Sequence, residues 1–444
     1  MFVALALRHF VNSDLIKFKN KMRKKTLTIA ESLKNDLFII PVESELFLVY
    51  SPLRRKLFSV NESALKYVNS FISGNETSFN DDNASLLYEH LSVLNETFPE
   101  SPIDNKEYFG KSITIILSQL CNMVCTYCYA RKAHSNAVIS TDYIKHFVDY
   151  CFDNSKYNIE RVVFIGGGEP LITWKQLKDV ILYIKNKNSE ISSSIITNAT
   201  LLDEEKCQFI SKHNVGIVIS FDIIPEIQRI QRPIRNLDSY EIVSQNIKLL
   251  EKFGIQCKGF RSTITMLNVK KMVLMVQFVI ENYPLIKAIN LEPVTDSGLP
   301  YTFYEDFIKY FIPAYELGRK HNINVYCSFS LSLEILKCRF CQRELCLTPT
   351  GEIVSCHRNS SSNDKHFNYF KIGYVDNNII SLEDYETMSS KKERPTSCNG
   401  CFAKWHCAGG CIDTRLKLSN KENKERCTFV RTLLSKLLYA KIQE

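Results

Sequence analysis

Hydrophobic and polar positions follow a different pattern in each of three regions of the chain. In the first region, short apolar or alternating runs separated by turn residues predict three strands, at residues 37–41, 46–50 and 56–60. Asn61 then precedes apolar residues spaced three or four apart between residues 64 and 71, which predicts a helix with Asn61 as its N-cap. A second helix is expected at residues 84–94.

From residue 112 to about residue 320, short apolar runs alternate with stretches of helical periodicity. Six strands are expected there, at residues 113–117, 161–165, 193–197, 216–220, 259–265 and 288–291. Strands that alternate with helices form parallel sheets with helical crossovers. Six repeats are too few for an eight-stranded barrel, so the pattern predicts an open or partial barrel with its chemistry at the C-terminal ends of the strands.

From about residue 327 the chain is rich in cysteine and has few long apolar runs. A region that cannot build a large core often depends on metal for its fold. Helices are expected at residues 413–418 and 428–442, and residues 359–364 are expected to form a flexible loop.

Cysteine is the only outlier in the composition. Apolar residues make up 45% and charged residues 23%, which is ordinary for a globular protein, and a net charge of +8 over 444 residues is too mild to indicate nucleic-acid binding. No apolar run approaches the roughly 20 residues that span a bilayer, and the first residues lack a signal-peptide pattern. The 16 cysteines therefore favour metal or redox chemistry over disulfides, in a cytoplasmic protein without membrane or nucleic-acid partners.

Cys121, Cys125 and Cys128 form a C-x3-C-x2-C motif directly after the first predicted barrel strand. Three thiolates from one tight loop can bind three irons of a [4Fe–4S] cluster and leave the fourth iron open to an exogenous ligand. A structural zinc site needs four protein ligands, and apart from His134 no fourth ligand lies close by in sequence. An iron–sulfur cluster is favoured, with zinc as the alternative.

Together with the motifs that follow it, this loop resembles the radical S-adenosylmethionine (SAM) superfamily over residues 112–293. Gly166, Gly167, Gly168 and Glu169 follow the second strand and are similar to the family's Gly-Gly-Glu motif, in which glycines let the backbone approach the amino group of SAM. The resemblance implies further SAM contacts at Tyr127, Asn198, Ser220, Asp222, Arg261 and Glu292. Arg261 would pair with the SAM carboxylate.

One departure from the family pattern lies after the fourth strand. Many relatives have Asp-Gly-Pro there, whereas this chain has Asp222, Ile223, Ile224 and Pro225. A glycine often permits tight backbone geometry, so its loss puts the shape of this loop in doubt.

The C-terminal cysteines resemble the SPASM domain, which binds two auxiliary [4Fe–4S] clusters. The resemblance implies one cluster on Cys346, Cys356 and Cys411, with Cys341 as the fourth ligand and Cys338 as the alternative. The other cluster would use Cys398, Cys401, Cys407 and Cys427, and a pair of structural zinc sites is the competing interpretation. The position of His357 resembles that of an Asp proposed as a proton acceptor in anaerobic sulfatase maturases, and a histidine there argues against that activity. A neutral imidazole could still serve as the base.

Residues 31–105 resemble the small winged-helix (PqqD-like) domains that recognise leader peptides. The expected layout is an N-terminal extension at residues 1–30, with Met22 as an alternative start, then this domain, a partial (β/α)6 TIM-like radical SAM barrel at residues 106–325 and a SPASM domain at residues 326–444. The fold class is therefore α/β.

The resemblance as a whole implies a maturase that cleaves SAM to a 5′-deoxyadenosyl radical and removes hydrogen from a ribosomally made precursor peptide. It implies three [4Fe–4S] clusters, a flavodoxin- or ferredoxin-type electron donor, and a product with a carbon–carbon or thioether cross-link. The alternatives are a protein-modifying dehydrogenase similar to anaerobic sulfatase maturases and a non-catalytic zinc or iron–sulfur module.

Overall fold

The computed structural model of the protein divides near Pro99 into two compact units. It describes residues 25–443, except residues 76, 80–81, 103–110, 132–134, 156, 296–297, 339–344, 377–378 and 383–392. Cys341, a predicted cluster ligand, and His134 lie outside the described residues. Within the described part of the chain, no helix combines the length and the apolar character needed to cross a membrane.

In its described residues, the N-terminal unit combines two small antiparallel sheets with three helices. Its elements, in chain order, are β1 (Lys25–Leu27), α1 (Glu31–Lys34), β2 (Phe38–Glu43), β3 (Leu46–Ser51), β4 (Lys56–Asn61), α2 (Glu62–Ile72), β5 (Thr77–Phe79) and α3 (Asp82–Glu96). Strands β2, β3 and β4 form a meander, and β1 pairs with β5. The three predicted strands and two predicted helices are confirmed, and the side chain of Asn61 caps α2 by accepting a hydrogen bond from the Ala64 amide at 2.9 Å.

The second unit is built on a sheet whose central strands are parallel. These strands are β6 (Ser112–Ile115), β7 (Arg161–Phe164), β8 (Ser192–Thr197), β9 (Gly216–Ser220), β10 (Cys257–Ile264), β11 (Ala288–Pro293) and β12 (Asn324–Tyr326). Each pairs in parallel with the next in the chain, so the spatial order follows the sequence order. The six predicted strands and the α/β class are confirmed; β12 escaped prediction because it is a run of only three residues.

Helices between these strands cover the sheet with their apolar faces. They are α4 (Thr141–Asp153), α5 (Trp174–Lys187), α6 (Glu204–Lys212), α7 (Pro225–Gln231), α8 (Ser239–Lys252), α9 (Met272–Asn282) and α10 (Tyr301–Lys320). In α10, for example, Phe303, Phe307 and Phe311 recur every four residues and are fully buried. This spacing places them on one helical face, as expected for a crossover helix that packs on a sheet.

The cysteine-rich region extends the same sheet beyond β6. Strand β13 (Leu345–Leu347) pairs in parallel with β6, and β14 (Glu352–Val354), β15 (Lys371–Asp376) and β16 (Ile379–Leu382) continue the sheet in antiparallel order. The helices of this region are α11 (Ser328–Leu331), α12 (Phe367–Phe370), α13 (Ile412–Lys417) and α14 (Asn420–Ile442). Through the β6–β13 pairing, the strand that carries Cys346 lies beside the first barrel strand.

Two expectations for this region need correction. Helix α14 begins at Asn420 rather than near residue 428, because Ser419 and Glu422 form a capping box at its N-terminus. The segment at residues 359–364 is not a flexible exposed loop. Asn359 and Ser360 are each only 1% exposed, and the Asn359 amide donates to the buried Asp413 carboxylate at 2.8 Å.

A buried ion pair stabilises the N-terminal unit. Arg54 and Asp36 are 4% and 1% exposed, and their side chains approach to 3.3 Å. Asp36 also accepts hydrogen bonds from the Ser51 hydroxyl and the Leu53 amide, while Arg54 donates to the Thr97 carbonyl at 2.9 Å. The pair thus joins the segment before β2, the turn after β3 and the end of α3.

Asp36→Asn is expected to destabilise the N-terminal unit by about 3–5 kcal/mol, because it leaves the buried guanidinium of Arg54 without its counter-charge. Urea unfolding of the full chain, followed by hydrogen–deuterium exchange of peptides from this unit, measures the change. The matched control is Glu31→Gln, which breaks the exposed Lys34–Glu31 pair and should cost less than about 1 kcal/mol. Equal stability of the two variants would contradict this role for the buried pair.

Candidate functional site

Loops at the C-terminal ends of the barrel strands enclose a cavity of about 290 Å³. The sequence-predicted residues that line it are Cys121, Cys125, Tyr127, Cys128, Gly167, Gly168, Glu169, Asn198, Ser220, Arg261, Glu292 and His357. Apart from His357, which follows β14, these residues lie on or after the six strands β6 to β11, and the parallel sheet brings them to one edge. Of the residues predicted for the barrel site, Asp222 alone is absent from the cavity lining.

The three thiols of the cluster loop, residues 121–128, share this cavity and are partly exposed. By contrast, four cysteines outside the predicted clusters, Cys151, Cys207, Cys257 and Cys327, are buried. Burial raises the pKa of the Cys121 thiol to about 11, and it also raises the pKa of Cys128. Three accessible thiols on one loop fit a cluster in which each thiolate binds a different iron.

Within the described residues, no group of three or more His, Cys, Asp or Glu side chains is arranged to hold a single metal ion.

The glycine motif is required because two backbone segments touch. A Cβ on Gly168 would lie 1.8 Å from the Leu120 carbonyl oxygen, and one on Gly167, whose φ is +65°, would lie 2.9 Å from the Ser118 carbonyl oxygen. The Glu169 amide donates to the Leu120 carbonyl at 2.7 Å. The motif therefore holds the residue before Cys121 in place, a function in addition to the ligand approach expected from sequence.

Glu169 is a buried carboxylate that joins two strand ends. It accepts hydrogen bonds from the Thr197 hydroxyl at 2.6 Å, the Asn198 amide at 2.7 Å and the Leu171 amide at 3.1 Å. Burial raises the pKa of Glu169, and these three hydrogen bonds oppose the rise. The Asn198 side chain in turn donates to Asn122 of the cluster loop at 2.9 Å.

Asp222 lies behind the cavity wall, fully buried, rather than in the lining. Its carboxylate accepts hydrogen bonds from the Tyr127 hydroxyl at 2.8 Å, the Gln231 amide at 3.0 Å and the Ser262 hydroxyl at 2.8 Å. Burial raises its pKa, and Arg232 is the largest opposing influence. Its observed contacts are thus with side chains that shape the cavity.

Ile223, which stands where many relatives have glycine, adopts a φ of +66°. A β-branched residue in this left-handed region is strained. The loop therefore keeps a glycine-type conformation despite the substitution. The absence of glycine does not change the backbone conformation at this position.

Arg261 and Glu292 lie on the neighbouring strands β10 and β11. In the described part of the chain, the Arg261 guanidinium has no recorded hydrogen bond or ion pair, and it lines the cavity. Glu292 accepts hydrogen bonds from the amide and hydroxyl of Ser328, at 2.8 Å and 2.9 Å. Arg261 is therefore a cation with donors available for an anionic group of a ligand.

His357 and the next residue, Arg358, enter the cavity from the cysteine-rich region. The His357 ring lies 6.1 Å from the ring of Tyr129, and the Arg358 guanidinium lies 5.4 Å from the same ring. Arg358 also pairs with the buried Asp413 carboxylate at 3.3 Å and donates to the Thr295 hydroxyl at 2.7 Å. This side of the cavity is therefore built from both regions of the second unit.

Sequence reasoning missed several lining residues, namely Tyr129, Arg232, Asn290 and Arg358. Arg358 and Tyr129 directly follow His357 and Cys128, so adjacency to a predicted site residue was the available signal. Arg232 follows Gln228 and Gln231, two buried polar residues on the face of α7 that contacts Asp222. This spacing of buried polar residues can be recognised only once Asp222 is known to be their partner.

The C-terminal cysteines lie in two neighbourhoods. Burial raises the pKa of Cys407 to about 11, and the nearby Cys427 and Cys398 add to the rise. The pKa of Cys398 is raised first by burial and then by the nearby Cys401 and Cys427. These four cysteines therefore lie near one another.

The other neighbourhood surrounds Cys356. Cys346 on β13 pairs with Val354, two residues before Cys356, and the charges of Cys411 and Cys356 both act on Arg358. Cys338 is described and partly buried. The pairing of these cysteines into clusters stays a prediction.

Comparison with known proteins gives the family of the barrel. Residues 115–279 match the model of the Radical SAM superfamily, so the chain contains a radical SAM domain. The radical SAM cyclopropyl synthase TigE of Paramaledivibacter caminithermalis is 21% identical over 368 residues, which cover 74% of each chain. A cysteine-type anaerobic sulfatase-maturating enzyme of Clostridium perfringens is 24% identical over 147 residues, 31% of this chain and 39% of the relative.

Two solved structures share the fold. The enzyme anSMEcpe, solved with bound AdoMet and the Kp18Cys peptide, matches with a TM-score of 0.61 and 18% identity over 75% of this chain and all of that one. Streptococcus suis SuiB, solved with its precursor peptide SuiA, matches with a TM-score of 0.52 and 14% identity over 88% of this chain and 96% of that one. The predicted partial barrel is confirmed, and the non-catalytic metal-binding module is set aside.

Gly168→Ala is expected to weaken SAM binding at least tenfold, roughly 1.4 kcal/mol, because the added methyl group forces the Leu120 carbonyl and the cluster loop to move. Isothermal titration with SAM under anaerobic conditions measures the loss. Gly400→Ala is the matched control, since a Cβ there meets nothing within 4 Å and the affinity should be unchanged. Wild-type affinity in Gly168→Ala would contradict the proposed backbone contact.

Proposed function

We propose that this radical SAM enzyme modifies a ribosomally made precursor peptide, forming a carbon–carbon or thioether cross-link. The observation that carries the proposal is the shared cavity. Three cluster cysteines and the candidate SAM contacts line it together with His357, Arg358 and Tyr129, so a cofactor and a substrate side chain could meet there.

Cys121, Cys125 and Cys128 would hold a [4Fe–4S] cluster with one open iron, and SAM would occupy the cavity beside it. When bound, this group supplies the electron that cleaves SAM to methionine and a 5′-deoxyadenosyl radical, which removes a hydrogen atom from the substrate. Arg261, whose donors face the cavity, would bind the SAM carboxylate in a bidentate contact. Gly167 and Gly168 would let the backbone meet the amino group of SAM.

Residues at the strand ends would make further contacts with SAM. Asn198 and Ser220 would contact the ribose and methionine portions of SAM. The Tyr127 backbone would contact the adenine, and Glu292 would lie near it. Asp222 would act through Tyr127 and Gln231, because its carboxylate contacts these side chains and not the cavity.

The C-terminal cysteines would hold two auxiliary [4Fe–4S] clusters. One would use Cys346, Cys356 and Cys411 with Cys341 or Cys338, and the other Cys398, Cys401, Cys407 and Cys427. They would take up the second electron of a net two-electron oxidation after hydrogen abstraction has removed the first. His357 would accept the proton that is released, since a neutral imidazole is a base near pH 7.

The N-terminal unit would bind the leader of the precursor. Its β2–β3–β4 meander has two edge strands, and an extended peptide can add to such an edge through backbone hydrogen bonds. The relatives support a peptide substrate, since SuiB was solved with a precursor peptide and anSMEcpe with a peptide. A flavodoxin- or ferredoxin-type protein would supply electrons.

A second candidate is a protein-modifying dehydrogenase that acts on a folded partner, and several relatives of this chain are named as anaerobic sulfatase-maturating enzymes. The full-length structural match to anSMEcpe favours it. The larger share of this chain that SuiB matches, 88% against 75% for anSMEcpe, favours the precursor peptide instead.

Co-expression with small open reading frames encoded beside the gene, followed by mass spectrometry, tests the proposed function. One precursor should lose two hydrogens per cross-link with wild-type enzyme, and none with Cys125→Ala, which removes one of the three proposed iron ligands. The Cys151→Ala variant, which removes a buried cysteine outside the site, is the control and should behave as wild type. An unmodified precursor that nonetheless binds the enzyme would contradict a cross-linking activity.

His357→Gln is expected to lower peptide product formation about 10²–10⁴-fold, the usual contribution of a general base, while 5′-deoxyadenosine still forms. Chromatographic assay of both products in one reaction separates these effects. His213→Gln, at the C-cap of α6 and outside the cavity lining, should leave both rates unchanged. Equal loss of both products would show that His357 is needed for SAM cleavage and not as the base.

A further inference from the structure

Arg232 is a buried cation in the cavity lining for which neither the motifs nor the proposed chemistry provides a role. It is 8% exposed, and its Nη1 donates to the Tyr127 hydroxyl at 2.7 Å. Among the described residues its Nε has no hydrogen-bond partner, and its connection to the Asp222 carboxylate runs through the Tyr127 hydroxyl. A buried charge without a counter-ion in direct contact is costly, so the site should contain a negative group when complete.

The backbone around Arg232 is attached to the cluster loop. The Val124 amide donates to the Pro233 carbonyl at 3.0 Å, and the Thr126 amide donates to the Gln231 carbonyl at 2.9 Å. These two bonds lie on either side of Arg232 in sequence and on either side of Cys125. They fix the position of the arginine relative to the loop.

Tyr127 and Asp222 fix the direction of the Arg232 side chain. The Tyr127 hydroxyl accepts from Arg232 and donates to Asp222 at 2.8 Å, so both of its hydrogen-bonding capacities are used. Asp222 is itself held by Gln231 and Ser262. The negative end of this chain of contacts thus lies behind the wall, and the positive end lies in the cavity.

Arg232 and the cluster cysteines share one cavity. Cys121, Cys125 and Cys128 line it together with Arg232. The two backbone hydrogen bonds on either side of Cys125 keep the arginine beside the loop. The charge of the buried guanidinium therefore acts on the thiolates in surroundings of low dielectric, which strengthen the interaction.

We propose that Arg232 is a positioning residue that raises the reduction potential of the cluster bound by Cys121, Cys125 and Cys128. One electron from the flavodoxin- or ferredoxin-type donor adds one negative charge to the cluster, and the guanidinium beside Cys125 and Cys128 stabilises that charge. Net charge and hydrogen bonding around the sulfurs are established determinants of cluster potential. This inference rests on the proposed function, because it requires the cluster.

Redox titration of the anaerobically reconstituted full chain, monitored by electron paramagnetic resonance, tests this role. The signal that changes on addition of SAM identifies the barrel cluster. At the wild-type midpoint, Arg232→Gln should lower the ratio of reduced to oxidised cluster about tenfold, a shift of about 59 mV to more negative potential. Arg232→Lys, which keeps the charge but loses the planar guanidinium, should shift less.

Arg235→Gln is the matched control, because Arg235 is an exposed arginine of the same segment and water screens its charge. Its midpoint should equal that of the wild type. A wild-type midpoint in Arg232→Gln would overturn the inference and leave the proposed function standing. A wild-type protein without any SAM-sensitive iron signal would overturn both.

If Arg232→Gln does not take up iron, the midpoint potential of the Tyr127→Phe variant tests the inference instead. It removes the hydroxyl that holds Arg232 and leaves the charge present, so a smaller shift in the same direction is expected. A wild-type midpoint in Tyr127→Phe would then overturn the inference.

Discussion

The cluster loop has little regular secondary structure, so its shape depends on hydrogen bonds from the segments around it. The Glu169 amide holds Leu120, Asn198 holds Asn122, and Gln231 and Pro233 hold the backbone on either side of Cys125. These partners follow β7, β8 and β9, three consecutive strands of the parallel sheet. The sheet thereby fixes three thiols in one cavity before any ligand is present, which is the preorganisation that a reactive cofactor requires.

Buried carboxylates connect these segments. Glu169, Asp222 and Asp413 are almost fully buried, and each accepts hydrogen bonds or ion pairs from at least two residues distant in sequence. An unpaired buried carboxylate would be costly, whereas a fully bonded one makes the geometry around it specific. Glu169 and Asp222 support cavity residues of the barrel, and Asp413 pairs with Arg358, a cavity residue of the cysteine-rich region. The cavity is thus supported from both the barrel and the cysteine-rich region.

The sequence predicted the strands, the partial barrel and most of the cavity lining because these depend on local periodicity and on motifs with fixed spacing. It did not predict Arg232, whose position depends on Tyr127 and Asp222, more than 100 and about 10 residues away in the chain. It also placed Asp222 among the ligand contacts, since a residue at a strand end can point either into the cavity or behind its wall. Residues 359–364 were mistaken for a flexible loop because polar residues that are buried through hydrogen bonds have the composition of a surface loop.

Every functional conclusion depends on SAM reaching an iron that no protein side chain occupies. Electron–nuclear double resonance of the reduced full chain, with SAM carrying nitrogen-15 and carbon-13 in its methionine portion, measures that contact directly. The account predicts hyperfine coupling from the amino nitrogen and the carboxylate carbon to the cluster. A reduced cluster that binds SAM without either coupling would contradict it.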